Sequence, residues 1–154
     1  MYIWMPRSTK RGRFGHSAIE TSRAYVSFWP KDSEGGPRGK LIYIANRPGY
    51  AGDSLHGDIE YLKYRPDHTI HLKYISGKKI RKRWKRIRSG DFNLAFNNCS
   101  TVVSMLLSHA LQTDKISFWK KFAASPRMRF YNETDLVDTP RRVLEYCRIL
   151  KSLE

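Results

Sequence analysis

Cysteine is scarce in this 154-residue chain, which has only Cys99 and Cys147. Two thiols exclude a disulfide framework and leave at most one bridge between them. Long apolar runs are missing as well. No stretch reaches the roughly 18 apolar residues of a membrane span. The opening MYIWMPRSTKRGR holds too short an apolar run for a cleavable secretory signal. The chain is therefore expected to stay in the cytoplasm, to leave by a specialised secretion route that reads no such signal, or to be a domain of something longer. Acidic residues are few, 14 against 29 Lys and Arg, for a net charge of +15. That excess predicts attraction to an anionic partner without choosing among nucleic acid, lipid headgroups, cell-wall polymer or an acidic protein. Internal repeats and low-complexity tracts are absent.

What is present is a globular composition, 40% hydrophobic and 13% aromatic, expected to form one domain over residues 1–154. FGHSAIET and RAYVSFWP read as two strands meeting near Thr21 and Ser22, with Pro30 ending the second. KDSEGGPRGK (31–40) reads as a loop, KLIYIA (40–45) as a strand, and NRPGYAGDSLHGD (46–58) as a long loop of the kind that borders sites. IEYLKYR and HTIHLKYI read as a further strand pair. Beyond Gly77 the period changes. KKIRKRWKRIR (78–88) spaces Ile80, Trp84 and Ile87 along one helical stripe, and Gly90 is its stop. Cys99 to Leu111 is an amphipathic helix. Asp114 is placed to cap a short helix, KISFWKKFA. Thr139 and Pro140 supply the N-cap and first position of a final helix that buries Val143, Leu144, Cys147 and Leu150. Strands first and helices after predict an α+β fold, an antiparallel sheet packed against helices.

Two residues carry chemistry. A turn at Thr21–Ser22 sets His16 opposite Ser27, close enough for the hydroxyl to hold one ring nitrogen. Cys99 opens a helix, where unpaired backbone N–H groups favour a thiolate and can receive an oxyanion. Asn97 and Asn98 precede it as cap residues and as further donors toward substrate. A cysteine nucleophile needs a base, and His16 is the candidate. The structural alternative is a small hydrophobe and a satisfied core histidine. Cys147, in mid-helix on the apolar stripe, is read that way.

GHSAIE followed by YVSFWP, and much later NNCSTVV, resembles the permuted papain-like superfamily. That group includes circularly permuted NlpC-type peptidases and lecithin:retinol acyltransferase-like proteins. The matching residues are His16, Ala18, Ile19, Asn98 and Cys99, and the tail DTPRRVLEY resembles the closing helix of bacterial members. The resemblance implies a permuted papain-like fold and acyl transfer: Cys99 attacks an amide or ester carbonyl, His16 takes its proton, and water resolves the thioester. It implies no cofactor and no metal. Acyltransferase-like members carry a second histidine after the first. Here Ser27 and Phe28 stand in that vicinity, so the third group is open among Ser27, His56 and Asp58. The implied substrate is a cell-wall peptide amide, or an acyl ester or amide of lipid or protein. Bacterial relatives of this size resemble secreted effector toxins, which implies a cognate immunity protein.

The basic helix has two readings. Either its stripe docks on the core, or Lys82, Arg83, Lys85 and Arg86 form a polyanion surface on which Trp84 meets lipid or stacks on a base. No specific nucleic-acid motif accompanies it. His68 and His71 are spaced poorly for a metal pair on a strand. Two rival functions follow: a non-enzymatic module binding nucleic acid or an anionic membrane, and a basic nuclease using His16 and His56.

Overall fold

The computed structural model describes residues 1–9, 13–31, 46–122 and 138–154. Its frame is a six-stranded antiparallel sheet: β1 (Tyr2–Trp4), β2 (His16–Thr21), β3 (Ala24–Pro30), β4 (Arg47–Gly52), β5 (His68–Thr69) and β6 (Asp91–Phe92), in the order β5-β1-β2-β3-β4-β6. The helices are α1 (Leu55–Leu62), α2 (Gly77–Ile87), α3 (Cys99–Ala110) and α4 (Pro140–Ser152). A 3-10 turn spans Thr113–Lys115, and residues 118–122 are helical. The α+β expectation holds at this level.

Alternation along β2 and β3 divides the core in two. Ile3, Ile19, Val26 and Phe28 meet Ile80 and Trp84 of α2, Val103, Leu106 and Leu107 of α3, and Val143, Tyr146 and Cys147 of α4. On the other face Trp4, Ala18 and Trp29 pack with Leu62 of α1, with Leu55 and Ile59 beside them. Successive strand residues point to opposite faces, so one sheet serves both layers.

The β2–β3 hairpin turns at Ser22–Arg23, one residue later than expected. Thr21 pairs with Ala24, Glu20 with Tyr25 and Ile19 with Val26. Thr21 Oγ1 accepts from Arg23 N at 3.1 Å and Ala24 N at 3.0 Å, which closes the turn where a threonine can bond its own backbone. The expected pairing of Glu20 with Arg23 is thus shifted by two residues. A two-residue shift leaves every side chain on its face. Entry to β2 depends on Gly15 at φ +68°. A Cβ there would lie 2.4 Å from Trp4 O and 2.9 Å from Pro140 Cγ, so only glycine lets β1 and the start of α4 close on this point.

Several local expectations are corrected. Residues 46–58 are strand β4 and the start of α1, not one loop. IEYLKYR is not a strand: α1 takes up its first four residues and ends at Leu62, because Leu55, Ile59 and Leu62 form a helical stripe and Ser54 caps the start by accepting from Gly57 N. Of HTIHLKYI, His68–Thr69 pairs with β1, and Ile75 makes an isolated antiparallel bridge to Leu111. β1 and β6 were not anticipated. Asp114 sits inside the 3-10 turn, and Ser117 heads the helical residues after it. KLIYIA and most of KDSEGGPRGK lie outside the described residues. The basic stretch is helical with Ser76 as cap, and Thr139 caps α4, accepting from Arg142 N at 3.3 Å.

Candidate active site

His16 is fully buried at the first position of β2. Its Nε2 lies 2.9 Å from Ser27 Oγ and 3.2 Å from Asp58 Oδ2. Asp58 comes from the first turn of α1 and is 3% exposed. Four partners surround its carboxylate. Tyr25 OH donates to Oδ2 at 2.6 Å, while Ser27 Oγ and Trp29 Nε1 each donate to Oδ1 at 2.9 Å. The Trp29 ring also stacks on His16, with centroids 3.9 Å apart and planes 17° from parallel.

This network sets the tautomer. Ser27 spends its only proton on Asp58, so toward His16 it can only accept, and an ionised carboxylate also only accepts. The proton therefore sits on Nε2 in the neutral ring. Nδ1 keeps its lone pair, and no group among the described residues hydrogen-bonds it. A buried ring nitrogen without a partner is costly unless another group uses it. The group electrostatically coupled to this ring is the Cys99 thiol.

Cys99 is the first residue of α3 and is partly exposed, whereas Cys147 is fully buried; both are free thiols. Burial opposes ionisation of Cys99. The charge of His16, with bonds from the Ser17 backbone and Ser100, outweighs that penalty and brings the thiol below its ordinary value. Burial likewise opposes protonation of His16, but Cys99 and Asp58 overcome it and raise the imidazole to about 9. Asp58 is held below the usual carboxylate range: burial works against its charge, and His16, Tyr25 and Trp29 more than offset it. Cys147 shows the contrast. Burial outweighs the pull of the N-terminal ammonium and pushes it up to about 12. All three directions favour a thiolate–imidazolium pair backed by a carboxylate.

The asparagines serve another end. Asn98 is the N-cap of α3, its Oδ1 accepting from Ser100 N at 2.7 Å and Thr101 N at 3.0 Å. Its Nδ2 donates to Leu94 O and Asp138 O at 2.8 and 3.1 Å. Both amide protons are spent, which corrects the expectation of an oxyanion donor there. Asn97 Nδ2 donates to Asp91 O. Capping occupies the N–H groups of Ser100 and Thr101 and leaves that of Cys99 itself as the first-turn donor beside the sulfur.

Of the residues singled out in the sequence, the structure brings His16, Ser27 and Asp58 into hydrogen-bond contact and couples Cys99 to His16. His56 is exposed on α1, and His16 is buried, so the two do not form a nuclease pair. Trp84 is 5% exposed and meets Phe28 edge-on with centroids 6.0 Å apart, so it is core and meets neither lipid nor a base. Lys82, Lys85 and Arg86 are exposed and Arg83 is partly so. Sequence reasoning missed Tyr25 and Trp29. Their signal was available: they alternate with Ser27 on β3, on the same face as His16.

Comparison of the chain with protein-family models, with curated proteins and with solved structures finds no match.

Proposed function

We propose that this protein is a cysteine hydrolase working through a thioester, with Cys99 as nucleophile, His16 as general base and acid, and Asp58 as the residue that orients and charges His16. One observation carries the reading: a buried imidazole with Nε2 tied to a carboxylate, its other nitrogen unbonded, and its charge coupled to a thiol at a helix start. That arrangement activates a sulfur nucleophile in its resting state. A purely structural histidine has no use for the unbonded nitrogen.

Chemistry follows from the tautomer. Cys99 Sγ attacks a carbonyl carbon, and the thiol proton resides on His16 Nδ1. Negative charge on the carbonyl oxygen is received by the Cys99 N–H at the positive end of α3. The protonated His16 returns its proton to the departing amine or alcohol as the thioester forms. Water, deprotonated by His16, then cleaves the thioester and releases the acid. Through both steps Asp58 stabilises the imidazolium without taking its proton.

For substrate we propose a peptide amide of an anionic cell-wall polymer, with an acyl ester or amide of lipid or protein as the second class. The high positive charge supports an anionic target, and the resemblance of the Thr139–Tyr146 tail to bacterial members supports the first class. The test has two parts. Iodoacetamide at about pH 6 labels Cys99 and spares Cys147 if the thiolate exists, because a free thiol near 8.5 is almost wholly protonated there. Purified peptidoglycan and phospholipid vesicles are then incubated with the protein and with Cys99→Ala, and products are identified by mass. Equal inertness of both thiols, or products unchanged in Cys99→Ala, rejects the hydrolase in favour of a binding module.

A further inference from the structure

Three of the four large hydrophobic side chains most exposed among the described residues fall within five positions. Phe118 is 69% exposed, Trp119 76% and Phe122 69%. They sit on the helical residues 118–122, headed by Ser117, whose carbonyl accepts from Lys121 N at 3.1 Å. Positions 118, 119 and 122 lie on one side of a helix. The Phe118 and Trp119 rings meet edge-on, with centroids 5.5 Å apart. Each ring shields little of the other, and the cluster faces solvent. Scattered apolar residues on a surface need no explanation, but three large aromatics together do.

Charge identifies the occupant. Lys115 and Lys120 are exposed and Lys121 is partly exposed. None of the three makes an ion pair among the described residues, and no acidic residue lies between Lys115 and Phe122. A protein partner of ordinary kind would bury such aromatics in an apolar pocket, where the lysine ammoniums would lose their water. A membrane interface takes both: aromatic rings enter the headgroup–acyl boundary while lysine stems extend along it and keep their charges among phosphates.

We propose that residues 115–122 form a docking surface for anionic membranes, with Phe118, Trp119 and Phe122 inserted and Lys115, Lys120 and Lys121 on the lipid phosphates. This moves the membrane contact away from α2, whose tryptophan is core. The surface stands independently of the Cys99 chemistry.

Tryptophan fluorescence tests it cleanly. Trp4, Trp29 and Trp84 are buried at 0%, 8% and 5% exposure, so Trp119 is the one tryptophan whose surroundings change on docking. With vesicles of equal parts phosphatidylcholine and phosphatidylglycerol, the wild-type chain co-sediments and its emission shifts to the blue. Pure phosphatidylcholine gives far weaker binding. The exposed triple variant Phe118→Ser, Trp119→Ser, Phe122→Ser lowers co-sedimentation by about tenfold or more. Lys115→Glu, Lys120→Glu, Lys121→Glu does the same. Lys82→Glu, Lys85→Glu, Arg86→Glu on α2 keeps the blue shift in whatever fraction binds. The proposal is overturned by absence of vesicle binding, by binding without an emission shift, or by an unaffected aromatic variant. Self-association in sedimentation velocity that the aromatic variant abolishes overturns it in favour of a second copy as occupant.

Discussion

Replacing Asp58 with Asn removes the charge at the centre of the network and turns the acceptor that faces Tyr25 and His16 into a donor. The side chain keeps its shape, and Oδ1 can still accept from Trp29. What disappears is the negative charge 3.2 Å from His16 Nε2. With an effective dielectric of 20, a full pair at that separation is worth up to about 5 kcal/mol. Neither partner is screened by water, since their side chains are 0% and 3% exposed. Ser27 Oγ, still in place as an acceptor, and rearrangement around the site recover part of this, so a loss of about 2–3 kcal/mol is expected, or roughly 30- to 150-fold less activated thiolate. The assay is the rate of Cys99 alkylation by iodoacetamide across pH, read by mass, alongside hydrolysis of whichever substrate is found. Asp58→Asn should slow labelling by that factor at about pH 6 and move its rise toward the free-thiol value near 8.5. In a His16→Gln background the same substitution should add almost nothing, because the charge acts only through the imidazole. An unmoved pH profile in Asp58→Asn, with the fold intact by thermal melting, would refute the role assigned to Asp58. So would equal effects in both backgrounds.

Three further outcomes follow from the same contacts. His16, raised to about 9, by itself contributes stability that is full below 6.5 and lost as pH rises through about 9, while Cys99, lowered from 9.0, contributes stability that is lost as pH falls through its depressed value. Over the part of the span from 6.5 to about 9 in which the native thiol is ionised, the native pair and the unfolded pair each hold one proton, so urea-denaturation stability should be flat there in this pair's contribution; a steady fall over the whole window would mean a neutral thiol beside a charged ring. Trp29→Phe keeps a ring on His16 but deletes the N–H that reaches Asp58 and Ser27, and should cost about 1–3 kcal/mol of stability with slower Cys99 labelling; unchanged melting and labelling would remove Trp29 from the network. Gly52→Ala would put a Cβ 2.9 Å from Ser27 Cβ and Oγ and 3.3 Å from Asp58 Oδ1, so labelling of Cys99 should fall while vesicle binding through residues 115–122 stays as it was.

Much of the local structure was legible in the sequence. Thr139–Pro140 announced α4 and Asn98–Cys99 announced α3, since caps are short-range hydrogen bonds between a side chain and backbone two or three residues away. The contact between His16 and Ser27 was also legible despite a misplaced turn. Alternation has a period of two, so a register error of two residues moves neighbours from opposite to diagonal and changes no face. Residues 55–62 show where this reasoning stops. IEYLKYR alternates well enough for a strand and also fits a helical stripe. Docking of Leu55, Ile59 and Leu62 on Trp4 and Trp29 resolves it, and those contacts span dozens of residues.

By itself, then, the sequence determined the parity of β2 and β3, the sites of the helix caps and the placement of a thiol at a helix start, all of which depend on neighbours within a few positions. Only the tertiary structure chose Asp58 over His56 as the partner of His16, turned Trp84 inward and left Trp119 outside. Those outcomes depend on how α1 and α2 seat against a sheet built from distant segments; local periodicity contains no information about which carboxylate, 42 positions along the chain, arrives at a given ring nitrogen.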